Sequence, residues 1–162
     1  MRPLAQSLPL KLLQAREAVM DRFRPHLNAH GVTEQQWRVL RALAEAGEIE
    51  LSHLAQQICL LLPSLSRIIP DLEARGLVAR RRDAFDKRAT RVSLTREGRA
   101  LFETMSKRSE ALYREIEAAL EAARCGHVIA DLDRLIGALA PRTAEPPHEA
   151  APGIPKARAQ KA

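Results

Sequence analysis

Between residues 9 and 28, apolar side chains fall at Leu12, Leu13, Val19, Met20, Phe23 and Leu27. That is the spacing of one face of an α-helix, and Gly31 stands where such a helix ends. A second helical period opens at Thr33, a good N-cap, with Gln36 three positions on to complete a capping box. Trp37, Leu40, Leu43 and Ala44 mark its buried stripe and Gly47 its end. The segment "IELSHLAQQICLLLPSLSRIIPDLEARGL", residues 49–77, then predicts a very short strand and two short helices. Ser52 is placed to cap the first. The second should begin near Pro63, since proline suits the first turn. Leu65, Ile68, Ile69 and Leu72 would face inward, with Gly76 as terminator. Two short helices joined by a tight connection match a helix-turn-helix.

Two β-like arms follow, Leu77–Arg82 and Arg91–Leu94, around a polar, charged loop. Thr95 is placed to cap a long helix reaching about Ala123, with Leu101, Met105, Leu112, Ile116 and Leu120 on its stripe. A last helix is expected over about His127 to Leu139, carrying Val128, Leu132, Leu135, Ile136 and Leu139. Residues 141–162 hold five of the ten prolines and only Ile154 as a strongly apolar residue, a composition that predicts a disordered tail.

The pattern is therefore mainly α with a small β-wing, and composition narrows it. The aromatics are only Trp37, Tyr113, Phe23, Phe85 and Phe102, so the core must rest on Leu, Ile, Val and Ala, which favours helix on helix. No apolar run approaches the roughly 20 residues that span a membrane, and the N-terminal stretch has no signal-peptide pattern. Cys59 and Cys125 form no disulfide framework and fit a reducing cytoplasm. Net charge is +6, and the window from Arg75 to Arg91 holds seven cations against two anions, +5 by itself. Charge concentrated in this way suggests an anionic partner, nucleic acid above all.

Other features carry less. Nothing resembles a nucleophile elbow, a phosphate loop or paired catalytic carboxylates, so no enzyme and no cofactor is expected. His26 and His30 could touch one metal, but no third ligand is evident, and coincidence is the preferred reading. Cys59 reads as a buried, inert thiol rather than a redox switch. Pro70 lies inside the second helix of the helix-turn-helix. It removes the bond to the Ser66 carbonyl, which predicts a kink or an early 3-10 turn over Ser66–Pro70. Arg16 sits on the apolar seam of the first helix, where a guanidinium needs an anion. Two readings stay open: a fork for a ligand carboxylate, or a structural salt bridge to an acid such as Asp131 or Asp133.

The segment "DKRATRVSLTREG", Asp86 to Gly98, fits the wing pattern D-x-R-x-x-x-V-x-L-T-x-x-G. With the element order, it resembles the MarR family of winged helix-turn-helix transcription regulators over about Leu8 to Ala140. "LLQAREAVMDRFRPHLNAHGVTEQQWRVLRALAE" and "CLLLPSLSRII" resemble the branch of that family containing the homoprotocatechuate-operon repressor. Relatives there govern breakdown of small aromatic acids, including 6-hydroxynicotinate.

The resemblance implies a domain plan. Residues 1–31 would be an N-terminal dimerisation helix and 32–95 the winged helix-turn-helix. Residues 96–140 would be the C-terminal dimerisation helices and 141–162 the tail, either inert or adding non-specific DNA affinity. A homodimeric repressor in the cytoplasm would bind double-stranded DNA at a palindromic operator and leave it on meeting a small aromatic carboxylate of the 6-hydroxynicotinate or hydroxyphenylacetate type. The alternatives are a ligand-independent regulator, an activator, or a protein-interaction module on the same fold.

By that resemblance, Arg88 would enter the minor groove. Asp86 would either hold its guanidinium or merely initiate the turn. Arg80, Arg81, Arg82, Lys87 and Arg91 would clamp phosphates. Strand alternation turns Arg81 away from Arg80 and Arg82, so at least one of the three is solvated or paired to an acid. Arg67 is the expected reader of a guanine, with Ser64 and Ser66 either bonding DNA or simply solvated. Arg16, His26, Trp37 and Arg38, with Arg41, are the candidate ligand-binding residues.

Overall fold

The computed structural model describes residues 3–82 and 89–140. The chain divides at Glu121 into two units. In the first, α1 (Leu8–Ala29) and α2 (Glu34–Ala46) lead into strand β1 (Glu48–Glu50). Helices α3 (Leu51–Gln57) and α4 (Leu62–Ala74) form the helix-turn-helix. The hairpin β2 (Val78–Arg82) and β3 (Thr90–Leu94) precedes the long helix α5 (Arg96–Leu120). The second unit contains α6 (Ala122–Leu139).

Capping chemistry sets the element starts. The Thr33 hydroxyl accepts from the Gln36 N–H at 3.2 Å, and the Gln36 side chain accepts from the Thr33 N–H at 2.9 Å. Gln36 Nε2 also donates to Asp71 Oδ2 at 2.7 Å. The residue that closes the cap of α2 therefore ties that helix to α4. In the sheet, β3 is central, with Val78 opposite Leu94 and Arg82 opposite Thr90 on one side, and Ile49 opposite Val92 on the other. Val92 is fully buried beneath it.

The L-T-x-x-G segment explains itself physically. Thr95 Oγ1 accepts from the Gly98 N–H at 3.0 Å and donates to the Gly76 carbonyl at 2.6 Å. The Thr95 N–H donates to the Leu77 carbonyl at 3.1 Å. A Cβ on Gly98 would lie 1.9 Å from that same Leu77 oxygen. Helix α5 thus starts in backbone contact with the end of the helix-turn-helix, and only glycine fits.

The core is Leu, Ile, Val and Met around Phe23 and Trp37, with Leu40, Leu43, Leu54, Leu65, Leu72 and Met105 all inaccessible. Trp37 stacks on Phe102 at 5.5 Å between centroids, and Phe23 meets Tyr113 at 5.0 Å. The apolar stripe of α1 is buried only at Phe23 and Leu27. Leu8, Leu12, Leu13 and Val19 are exposed, as are Leu120 and, on α6, Val128, Ile129, Leu132, Ile136 and Leu139. Among the described residues, no helix is long and apolar enough to cross a membrane.

Several local expectations change. Ser52 does not cap α3: Glu50 occupies that position and accepts from the Ser52 hydroxyl. Ala44 is only half-buried, and Val39 and Ala42 join the stripe of α2 instead. Helix α5 stops at Leu120 because Glu121 adopts φ +59°, so α6 begins five residues earlier than its apolar pattern suggests. No 3-10 turn forms at Pro70, and α4 runs through it as α-helix. The proline lies on the exposed side, as does Ser66, while Leu65, Ile69 and Leu72 anchor the opposite face.

Gly98→Ala should destabilise the protein by at least about 2 kcal/mol in urea unfolding, through a clash with immovable backbone. Arg99→Ala, one exposed position further on, should stay within about 0.5 kcal/mol of the parent.

Candidate functional site

Helix α4 turns Leu65, Ile69 and Leu72 inward and leaves Leu62, Pro63, Ser66, Arg67 and Pro70 outward, with Ser64 half-buried. It is held by the Gln36–Asp71 bond and by Arg75, whose Nη1 donates to the Gly31 carbonyl at 3.0 Å. Arg75 is therefore a strut. Arg67 is exposed and forms no ion pair among the described residues.

On the hairpin, the alternation expected of Arg80, Arg81 and Arg82 is realised as a division of charge. Arg81 pairs with Glu48 of β1, and Arg91, opposite Arg81 on β3, lies 3.9 Å from the same carboxylate. Arg80 reaches Glu73 of α4 at 2.5 Å, bridging wing and recognition helix. Arg82 is exposed, with no ion pair among the described residues. Asp86, Lys87 and Arg88 lie outside the described residues, as does the tail 141–162.

A separate cleft of about 240 Å³ opens between α1, α2 and α5, lined by Arg16, Val19, Met20, Phe23, Glu34, Trp37, Arg38, Arg41 and Tyr113. Arg16, Trp37, Arg38 and Arg41 thus come together. His26 does not join them: its Nε2 bonds the Met105 carbonyl at 3.0 Å, and it lines a different depression with Asp21, Arg22 and Arg108. The acids that meet Arg16 are Glu17 and Glu34, not Asp131 or Asp133, and Asp131 pairs with Arg134 on its own helix. Glu34 also receives Arg24 Nε at 2.6 Å.

The other two arginines of the cleft bond neutral oxygens. Arg41 Nη1 donates to the Tyr113 hydroxyl at 2.5 Å with its guanidinium over that ring, and Arg38 Nη1 donates to the Ile58 carbonyl at 2.7 Å. Trp37 Nε1 is buried without a hydrogen-bond partner, a costly state for an indole N–H. Sequence reasoning missed Glu34 and Tyr113, which carry no local motif and reach the cleft only through packing of distant segments. Cys59 is exposed rather than buried. It takes φ +52° at the turn after α3 and lines a shallow groove with Arg38 and Arg41. His30 Nδ1 bonds the His26 carbonyl.

The charge network on α1 has a titration signature. The hydrogen bond from Arg24, helped by Arg16, holds the Glu17 carboxyl below its ordinary value of 4.5. Glu17 and then Glu34 push the Arg24 guanidinium upward in return.

A helix-turn-helix whose second helix lies beside a cationic three-stranded wing defines the winged helix-turn-helix class of DNA-binding protein. The MarR family profile matches residues 32–90. The homoprotocatechuate degradative operon repressor of Escherichia coli is 46% identical over 116 residues, 72% of this chain and 78% of that protein. The transcriptional regulator FarR of Neisseria gonorrhoeae is 44% identical over 114 residues, 70% of this chain and 78% of that protein. The structure of NadR in complex with 4-hydroxyphenylacetate superposes with a TM-score of 0.73 at 38% identity, covering 83% of this chain and 96% of that one. The chain belongs to the MarR family; it is a transcriptional regulator and not an enzyme.

Arg24→Ala should return the Glu17 carboxyl toward 4.5, read by carboxyl-carbon NMR titration. With its folded pKa below the unfolded one, Glu17 adds stability above 4.5 and loses it as pH falls through the folded value. The acid limb of a stability-against-pH curve should therefore flatten in Arg24→Ala, which lacks the part of the drop that Glu17 supplies below 4.5.

Proposed function

We propose that this MarR-family transcriptional repressor acts as a cytoplasmic homodimer, bound to a palindromic operator until a small aromatic carboxylate enters the cleft between α1, α2 and α5. The carrying observation is the cleft's chemistry. It holds two guanidiniums, Arg38 and Arg41, that meet no carboxylate among the described residues, beside apolar walls from Val19, Met20, Phe23 and Trp37. A flat ring suits the walls, and a carboxylate suits the cations. That NadR was solved with 4-hydroxyphenylacetate supports the ligand class, with hydroxyphenylacetate or 6-hydroxynicotinate as first candidates. Arg16, already committed to Glu17 and Glu34, would order the wall, and His26 has no part in the cleft.

On the DNA side, residues 32–95 would form the reading head. Arg67 and the serines Ser64 and Ser66 would enter the major groove, Arg82 and Arg80 would clamp phosphates, and Asp86, Lys87, Arg88 and Arg91 would complete the wing. The exposed leucines of α1 and the open apolar face of α6 supply the surface a dimer would cover. Two-fold symmetry then sets half-sites about one helical turn apart. Arg38 supports a route between the sites. It lines the cleft and holds the Ile58 carbonyl at the end of α3, so a ligand that draws its guanidinium inward would loosen the turn before α4. Ligand and DNA must then weaken each other by one shared factor.

In a mobility-shift assay on its own upstream region, the protein should bind with a steep salt dependence, and saturating 4-hydroxyphenylacetate should weaken binding by about tenfold or more. Arg41→Ala should abolish the ligand-induced rise in melting temperature and leave the salt slope intact. Ligand-independent DNA binding would count against the cleft, and salt-insensitive behaviour against DNA itself.

A further inference from the structure

Helix α4 opens on an unusual surface. Leu60 packs against the core, but the next two leucines do not: Leu61, the N-cap, is 76% exposed and Leu62, the first helical residue, 47%. Single exposed leucines are ordinary. Two in succession at a recognition-helix tip are not, and the surface continues through Pro63 and, two turns on, Pro70. In the first two turns of this outward face, the polar side chains are Ser66 and Arg67, with Ser64 half-buried; further along, Asp71 is bonded to Gln36 and Glu73 is paired with Arg80.

A helix in this position puts its N-terminal residues against base edges. Leucine and proline side chains neither donate nor accept hydrogen bonds there. The one apolar group on a major-groove base edge is the thymine C5-methyl. The face carries the exposed guanidinium of Arg67 one turn on, a charge that suits a polyanion rather than an apolar protein surface. We infer that Leu61 and Leu62 are specificity-determining residues that read thymine methyl groups opposite the tip of α4, leaving hydrogen-bond readout to Arg67. This rests on the DNA-binding reading above and adds to it a base preference at named positions.

Deoxyuridine pairs as thymine does and lacks only the methyl, so it tests the inference directly. The intact protein is footprinted on its own upstream duplex, and each thymine in the half-sites is then replaced by deoxyuridine in turn. One or two positions per half-site should weaken the parent protein by about fourfold each, the factor for withdrawing one methyl-sized group from water. Leu61→Ala and Leu62→Ala should each lose the penalty at their own position while keeping the parent's salt slope, because phosphate contacts are untouched. Both side chains are solvent-facing, so melting temperatures near the parent's confirm folded variants. The inference is overturned if the parent ignores every deoxyuridine, or if the penalties persist undiminished in both variants. Failure of the underlying reading looks different: no duplex is protected at any salt concentration, and both proposals then fall.

Discussion

The geometry of this protein hangs on one backbone contact: the first turn of α5 pressed against the Leu77 carbonyl, with no room for a β-carbon at Gly98. Thr95 reinforces it by bonding Gly98 within its own helix and Gly76 at the end of the helix-turn-helix. Because β2 leaves from Leu77 and α5 leaves from Thr95, one junction fixes the directions of wing, recognition helix and long helix together. A loose hinge here would let the hairpin wander relative to α4, and a shared register on a rigid duplex requires the reverse.

Electrostatics on the wing then follows from where acids sit. A hairpin carrying so many arginines would repel itself, yet Glu48 and Glu73 absorb Arg81, Arg91 and Arg80. Those pairs are half-exposed, and such pairs contribute little to stability. Their effect is directional, since they keep the arginine stems oriented along the sheet and against α4. The same division recurs in the cleft. Glu34 satisfies Arg16 and Arg24, while Arg38 and Arg41 are held by neutral oxygens. An acid nearby thus orients a guanidinium, and where none is near the cation leans on neutral oxygens instead.

Much of this was legible in the residue pattern. Thr33 with Gln36 and the helix-turn-helix rhythm depend on near neighbours, and local chemistry reads locally, whereas the L-T-x-x-G run was legible only as a family pattern because its reason lies about twenty residues away at Gly76 and Leu77. What escaped depends on packing across the chain. Glu34 and Tyr113 reach one cleft from α2 and α5, and nothing at either position announces the other. Of the two readings open for Arg16, the salt bridge is present, but to Glu17 and Glu34 rather than to Asp131 or Asp133. Pro70 misled in another way: the early 3-10 turn expected there does not form, and α4 continues through it as α-helix. Cys59 was judged by sequence neighbours, and a left-handed turn exposed it instead.

Glu48 has a consequence for how the protein searches a chromosome. Its carboxylate occupies two guanidiniums that would otherwise adhere to any stretch of duplex. Adhesion of that sort carries no sequence information, and about a million or more irrelevant sites compete with each operator. On the DNA-binding reading proposed above, one acid at the root of the wing would act as a brake on idle residence, tempering the sequence-blind grip of Arg81 and Arg91 while leaving Arg67 to find the right address.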